Sequence, residues 1–166
     1  MADHRLSRTD TGLSPESDPI SVLYVDDEET LLDLGKIFLE ETAHFRVDIL
    51  SSAQEALTSP NLLLYDVIVS DYLMPEMDGL AFLKAVRELS VEIPFILFTG
   101  RGREEVVIEA INLGVDFYLQ KGGEPRSQFM ELSHKIRQAV RRKKAERSHR
   151  ETEKRLSDII EFLPDP

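Results

Sequence analysis

The apolar run Val67-Ile68-Val69 is stopped by Ser70 and then by a single acid, Asp71. A short continuous run of β-branched residues suits a strand buried on both faces of a parallel sheet. In open α/β sheets the chemistry collects beyond the carboxyl ends of such strands. A carboxylate at that point is therefore a candidate site residue, with helix capping as its ordinary alternative. Three more apolar runs end similarly: Ile20 to Val25 in Asp26-Asp27, Phe95 to Phe98 in Thr99-Gly100, and Phe117 to Gln120 in Lys121. Each polar residue alone reads as a cap or a surface group, but together at one sheet edge they form a constellation. Carboxylates brought together repel one another unless a cation sits among them, and hard oxygen donors with room for water suit Mg2+. An aspartate beside such a metal can attack a phosphoryl group and become an aspartyl phosphate. Beyond that, phosphoryl transfer needs positioning and neutralisation of the phosphoryl oxygens, tasks that the ammonium of Lys121 and the hydroxyl of Thr99 fit.

The elements that must position these groups follow from periodicity. Leu31, Leu34, Ile37 and Phe38 recur at helical spacing over Glu29 to Glu41, and Phe45 to Leu50 returns to a strand pattern. Ser52 with Glu55 has the form of a capping box for a short helix to about Thr58, which Pro60 ends. Pro75 and Asp78-Gly79 mark a turn, followed by a helix over Leu80 to Leu89 with Leu80, Leu83, Val86 and Arg87 covering the sheet. A further helix over Glu104 to Leu113 is expected to face inward through Val107, Ile108 and Ile111 and to be closed by Gly114. Five strands alternating with helices read as a parallel sheet covered on both faces.

The totals exclude several function classes. The chain has no cysteine, so disulfide scaffolds, thiol nucleophiles and cysteine-ligated metal sites are ruled out. No apolar run approaches the roughly 20 residues needed to cross a bilayer, and the N-terminal residues lack the apolar core of a signal peptide, so a cytoplasmic protein is expected. The net charge of -11 is unevenly spread: residues 1–125 carry 9 Lys+Arg against 24 Asp+Glu, or -15, and residues 126–166 carry 11 against 7, or +4. The acidic body is a poor nucleic-acid binder, and Arg141-Arg142-Lys143-Lys144 reads as the solvated face of a helix.

The combination of Asp26-Asp27, Asp71, Met74-Pro75-Glu76-Met77-Asp78-Gly79, Thr99-Gly100 and Lys121 resembles the receiver domain of two-component response regulators, over about residues 20–140. The resemblance implies a flavodoxin-like, doubly wound five-stranded parallel sheet of order 2-1-3-4-5. It also implies that Asp71 accepts a phosphoryl group from a histidine kinase or phosphotransfer domain, with Asp27 ligating Mg2+ directly and Asp26 through water. The backbone carbonyl of Leu73 would complete the metal site. Thr99 and Lys121 would bind the phosphoryl oxygens, and Tyr118 would be the aromatic that swings inward on activation. Such a domain catalyses its own phosphorylation and slow dephosphorylation without being an enzyme in its own right. Leu73 and Arg101 stand where the family tunes hydrolysis of the acyl phosphate, and an apolar Leu73 implies a long-lived phosphoryl state. One departure bears on the site: the family's lysine is commonly followed by proline, whereas Lys121 precedes Gly122-Gly123, so a flexible loop and a less firmly held lysine are expected. A phosphohydrolase of the haloacid dehalogenase type would need a second aspartate where Leu73 stands.

Residues 1–19 are polar without period and read as a disordered lead-in. A fifth helix is expected to begin near Ser127, to pack through Phe129, Leu132, Ile136 and Val140, and to continue through charged residues to an apolar stripe, Leu156, Ile159, Ile160 and Leu163. Ala145, His149, Thr152, Leu156, Ile159 and Leu163 alternate spacings of three and four, a weak heptad that would pair two chains into a homodimer; a single solvated linker helix is the alternative. The segment 141–166 resembles a linker leading into a PAS domain, so a downstream PAS or kinase module is expected. A stand-alone regulator acting by protein contact is the other reading. The box around His134 lacks the acidic neighbour of a kinase phosphoacceptor histidine and reads as a helix surface.

Overall fold

The strands form where β-branched and aromatic residues run together, and the helices where apolar residues recur at a period of 3.6. A computed structural model describes residues 18–164 except Val91 and Arg101, so most of the lead-in and the call on Arg101 lie outside the described residues. The order is β1 (Ser21–Val25), α1 (Glu29–Glu41), β2 (Arg46–Leu50), α2 (Ala53–Thr58), a 3-10 turn (Leu62–Leu64), β3 (Val67–Ser70), α3 (Gly79–Leu89), β4 (Phe95–Thr99), α4 (Glu104–Asn112), β5 (Phe117–Gln120) and α5 (Pro125–Glu161). All strand pairs are parallel, in the order β2-β1-β3-β4-β5.

Alternation along the strands divides the core into two layers. Val22, Tyr24, Val67, Val69, Ile96 and Phe98 point to the face covered by α1 and α5, where they meet Leu32, Leu39, Phe129, Leu132 and Ile136. Leu23, Val25, Ile68, Phe95 and Leu97 point to the face covered by α2, α3 and α4, against Ala56, Phe82, Leu83, Val86 and Ala110. Each fully buried phenylalanine contributes about 2–3 kcal/mol by removal from water. Because both faces are covered, the three central strands β1, β3 and β4 are buried along their whole length and carry site groups only where they end, whereas the edge strand β2 exposes Arg46 and Asp48.

The helix ends obey local chemistry. Ser52 Oγ accepts from the Glu55 N–H at 3.4 Å, and Asp78 Oδ1 accepts from the Ala81 N–H at 2.8 Å, so capping in the loop after β3 falls to Asp78 and not to Asp71. At the end of α4 the Gly114 N–H donates to the Ile111 carbonyl and the Val115 N–H to the Ala110 carbonyl, a Schellman closure that requires the positive φ of 86° at Gly114.

Two helix faces differ from expectation. Helix α4 buries Val106 and Ala110, while Ile108 and Ile111 are exposed and Val107 is half-buried. The small Ala110 lets the helix approach the sheet, and that approach turns the larger isoleucines outward. Helix α1 buries Leu32, Gly35 and Leu39 and leaves Leu34 and Ile37 exposed, because Gly35 lies directly on the rings of Tyr24 and Phe129. Arg87 does not cover the sheet with its stem alone. Its guanidinium donates to the Gly114 and Ile93 carbonyls and to Asp116, tying α3 to the start of β5.

Candidate functional site

Parallel strands of matched register bring their carboxyl ends to one level. Val25 pairs with Ser70 and Thr99 with Gln120, so Asp26, Asp71, Thr99 and Lys121 leave the sheet together. The Asp71 N–H donates to the Val25 carbonyl at 2.9 Å and the Lys121 N–H to the Thr99 carbonyl at 2.9 Å, which fixes the backbones that carry these side chains. The groups surround a cavity of about 630 Å3 lined by Asp27, Asp71, Leu73, Thr99 and Lys121, among others, with Asp26 fully buried beneath.

One carboxylate oxygen from each of Asp26, Asp27 and Asp71 lies within 4.8 Å of the others. Lys121 Nζ lies 2.6 Å from Asp26 Oδ2 and 3.5 Å from Asp71 Oδ2. The lysine expected to be loosely held is thus held by two carboxylates, and Gln128 Oε1 at the start of α5 accepts from the Gly122 N–H at 3.1 Å. Gly122 and Gly123 adopt φ of 153° and 77°, so glycine lets the chain turn away directly behind Lys121.

Burial pushes the Asp26 carboxyl up, against the hydrogen bonds from Lys121 and the Glu28 N–H that pull it down. Tyr24, two residues earlier on the same strand face, donates from its hydroxyl to Asp26 Oδ2 at 3.3 Å. Burial first, and the Asp26 charge second, push that phenol far up. Asp71 keeps one oxygen, Oδ1, on the Tyr72 N–H at 2.7 Å, while its Oδ2 faces Lys121. Gly79 packs against the Asp71 carbonyl and Leu97, where any side chain would collide, so the Asp78-Gly79 pair serves packing as well as turning.

Tyr118 is half-buried on β5. Its hydroxyl lies against the backbone of Gly102, in the space a side chain there would fill. Burial raises the Tyr118 phenol, and the Asp71 charge adds to that. Thr99 is buried at the end of β4. The Leu73 side chain is exposed at the cavity mouth. The structure thus brings Asp26, Asp27, Asp71, Leu73, Thr99 and Lys121 together and puts Tyr118 beside them; His134 lies exposed on α5 and apart from them. Sequence reasoning missed Tyr24 and Gln128. The first was legible from the period of two that places it on the face of Asp26, whereas no local signal marked the second.

The carboxylate donors fit a hard divalent cation: three acids converge, and one ammonium leaves them short of positive charge. A doubly wound domain with such a pocket at the carboxyl edge of its sheet defines a class. A sequence model of the response regulator receiver domain matches residues 22–132, and the chain belongs to that family, as a receiver domain of a two-component response regulator. It is 31% identical over 149 residues to response regulator Rre1 of Synechocystis sp., covering 89% of this chain and 63% of the relative. To response regulator SaeR of Staphylococcus aureus it is 31% identical over 113 residues, covering 68% and 49%. The chain therefore spans about half to two thirds of the length of these curated relatives. Among solved structures, a receiver domain from Clostridium thermocellum is similar at a TM-score of 0.67 and 30% identity, covering 75% of this chain and 97% of that one. A Francisella response regulator receiver domain gives 0.64 and 30%, covering 74% and 97%. The chemotaxis protein CheY4 of Vibrio cholerae gives 0.62 and 30%, covering 70% and 98%.

Proposed function

We propose that this receiver takes a phosphoryl group on Asp71 from a phosphohistidine of a histidine kinase or phosphotransfer domain, in the cytoplasm, and passes the change to a PAS or kinase module joined to α5. The observation that carries the reading is the placement of Asp71 Oδ2 at the cavity wall, 3.5 Å from Lys121 Nζ and within reach of two further carboxylates. Asp71 Oδ attacks phosphorus as the P–N bond to the donor imidazole breaks, and the imidazole leaves with that electron pair. Lys121 balances the oxygens of the incoming group, and the Thr99 hydroxyl donates to one of them. Asp26, Asp27, Asp71 and the Leu73 carbonyl would hold Mg2+, which when bound neutralises phosphoryl oxygen charge. Asp26 pairs with Lys121 and so keeps the ammonium over the cavity. Tyr118, next to the Asp71 charge and seated on Gly102, is the group whose position reports the added phosphate. The apolar Leu73 at the mouth has no group to orient an attacking water, so hydrolysis is slow, and the domain's only turnover is this self-phosphorylation and decay.

Incubation with Mg2+ and acetyl phosphate tests the reading by intact mass. The wild type gains one phosphate that decays slowly once the donor is removed, and Asp71→Asn gains none. An adduct on both proteins, or on neither while Mg2+ still binds, would overturn it.

A further inference from the structure

The backbone holds Lys121 closely on one side and sparingly on the other. Its own N–H donates to the Thr99 carbonyl at 2.9 Å, which ties it to β4. Behind it stand Gly122 and Gly123, whose φ of 153° and 77° a glycine can adopt but is not compelled to keep. Among the described residues, no atom of the surrounding fold lies within 4 Å of where a side chain would stand at either glycine, so packing does not hold them. The hydrogen bond from the Gly122 N–H to Gln128 Oε1, at 3.1 Å, is the fastening at this point. Gln128 itself stands on a fixed post. Pro125 starts α5, the Gln128 N–H donates to the Glu124 carbonyl at 3.1 Å, and the adjacent Phe129 is buried with the rings of Phe38 and Phe98 each 6.0 Å away. The side chain reaches back past the start of the helix in the manner of a capping-box glutamine, and it lines the same cavity as Lys121.

We infer that Gln128 is a positioning residue for Lys121, acting through the Gly122 N–H to set the backbone from which the lysine side chain springs. The inference rests on the phosphoacceptor reading above. In the unmodified site the head of the lysine is also held, 2.6 Å from Asp26 and 3.5 Å from Asp71. Those contacts cannot position it throughout the reaction. As Asp71 becomes an acyl phosphate it gives up its carboxylate charge, and the ammonium exchanges that partner for a phosphoryl oxygen. Lys121 therefore has to move at its head and stay at its root. The clasp to Gln128 involves neither carboxylate, so its donor and acceptor remain the same while the head moves. Without the clasp two glycines leave the root free to swing, and a misplacement of about 1 Å at a reacting centre can cost about a hundredfold in rate.

The whole chain, incubated with Mg2+ and acetyl phosphate, tests this through the rate at which its intact mass gains phosphate. Gln128→Met keeps the length of the side chain and removes the acceptor; it is expected to slow phosphorylation about tenfold, with the near-ultraviolet circular dichroism of the wild type. Gln128→Glu keeps an oxygen at the same reach and should stay within about threefold of wild type. Exchange of the Gly122 amide, followed by NMR without acetyl phosphate, should quicken at least about fivefold in Gln128→Met and not in Gln128→Glu. A merely structural role would not depend on the lysine. Adding Gln128→Met to Lys121→Met is therefore expected to change the remaining rate by less than about twofold. A wild-type rate in Gln128→Met, a loss in Gln128→Glu as large as in Gln128→Met, the same tenfold loss on the Lys121→Met background, or unaltered Gly122 exchange would each overturn the inference while Asp71 remained the acceptor. No phosphate on the wild type would instead overturn the reading of Asp71, and this inference with it.

Discussion

The two edges of the sheet carry the same kinds of charge in opposite proportion. At the carboxyl edge three carboxylates, Asp26, Asp27 and Asp71, share one ammonium, Lys121. At the amino edge one carboxylate, Asp116, meets Arg87 at 3.0 Å, Arg142 at 3.5 Å and Lys143 at 3.9 Å, and also accepts from the Phe95 N–H at 2.8 Å. Both clusters are built around a buried acid. Asp116 is supplied with more donors than it needs, so its cluster is complete and serves to tie α3, β4, β5 and α5 together. The other edge is short of positive charge, and that shortage is what makes it a place for a cation and a phosphoryl group. Burial of an ion pair alone does not mark a site; the imbalance does.

Removing one partner at each edge separates the two roles. Asp116→Ala leaves the mostly buried Arg87 guanidinium without its counter-charge, though still on the Gly114 and Ile93 carbonyls, takes the side-chain acceptor from the Phe95 N–H, and is expected to cost about 3 kcal/mol. Lys121→Met leaves Asp26 and Asp71 facing each other without a counter-charge, at a cost of about 2 kcal/mol in the absence of divalent cations. Urea unfolding with and without Mg2+ distinguishes them. Mg2+ should raise the midpoint of Lys121→Met by more than it raises that of the wild type, because the competing ammonium is gone. It should raise that of Asp116→Ala by the wild-type amount. Equal gains in both variants would mean that the two clusters are not different in kind.

The sequence showed the carboxyl edge far better than the amino edge, for a physical reason. Asp26, Asp71, Thr99 and Lys121 each stand where an apolar strand stops, a local contrast visible in a few residues. All five strands and the closure at Gly114 were legible in the same way. The latch at Asp116 joins residues 29 apart through one guanidinium, and no periodicity marks it. The inward face of α4 was misread because isoleucine outranks alanine in any hydrophobic pattern, yet close packing on the sheet favours the smaller Ala110. The apolar stripe at the end of α5 was legible, but its direction was not, since direction depends on which side of the helix the body occupies.

The carboxyl edge also differs from the latch in having room to move. Tyr118 rests its hydroxyl on the Gly102 backbone, and a methyl group at that position would occupy the same space. Gly102→Ala is expected to cost about 1 kcal/mol and to shift the Tyr118 ring resonances in the unphosphorylated domain, leaving the mass gained from acetyl phosphate unchanged. Unshifted Tyr118 resonances would show that the ring does not use this space. At the latch Gly114 instead meets the Arg87 guanidinium with its carbonyl, which accepts from Nε and Nη2.

The smallest effect lies where the amino edge reaches α5. Glu92 is held below its ordinary carboxyl value of 4.5 by Arg150 first, with Arg147 adding to it. A lowered value means that the folded state favours the ionised form. The contribution is therefore complete above that ordinary value and is lost as pH falls through the lowered one. The pairs are solvent-exposed, so Glu92→Gln should leave the urea midpoint of the body where it is. What should change is local: amide exchange over residues 147–155 quickens at neutral pH and low salt, and the difference from wild type vanishes at high salt or below the Glu92 titration. Exchange that is faster in the variant at every salt concentration would mean that Glu92 holds the helix by packing. Glu92 would then resemble Asp116, where hydrogen bonds to buried groups dominate, and not a charge clasp that ionic strength releases.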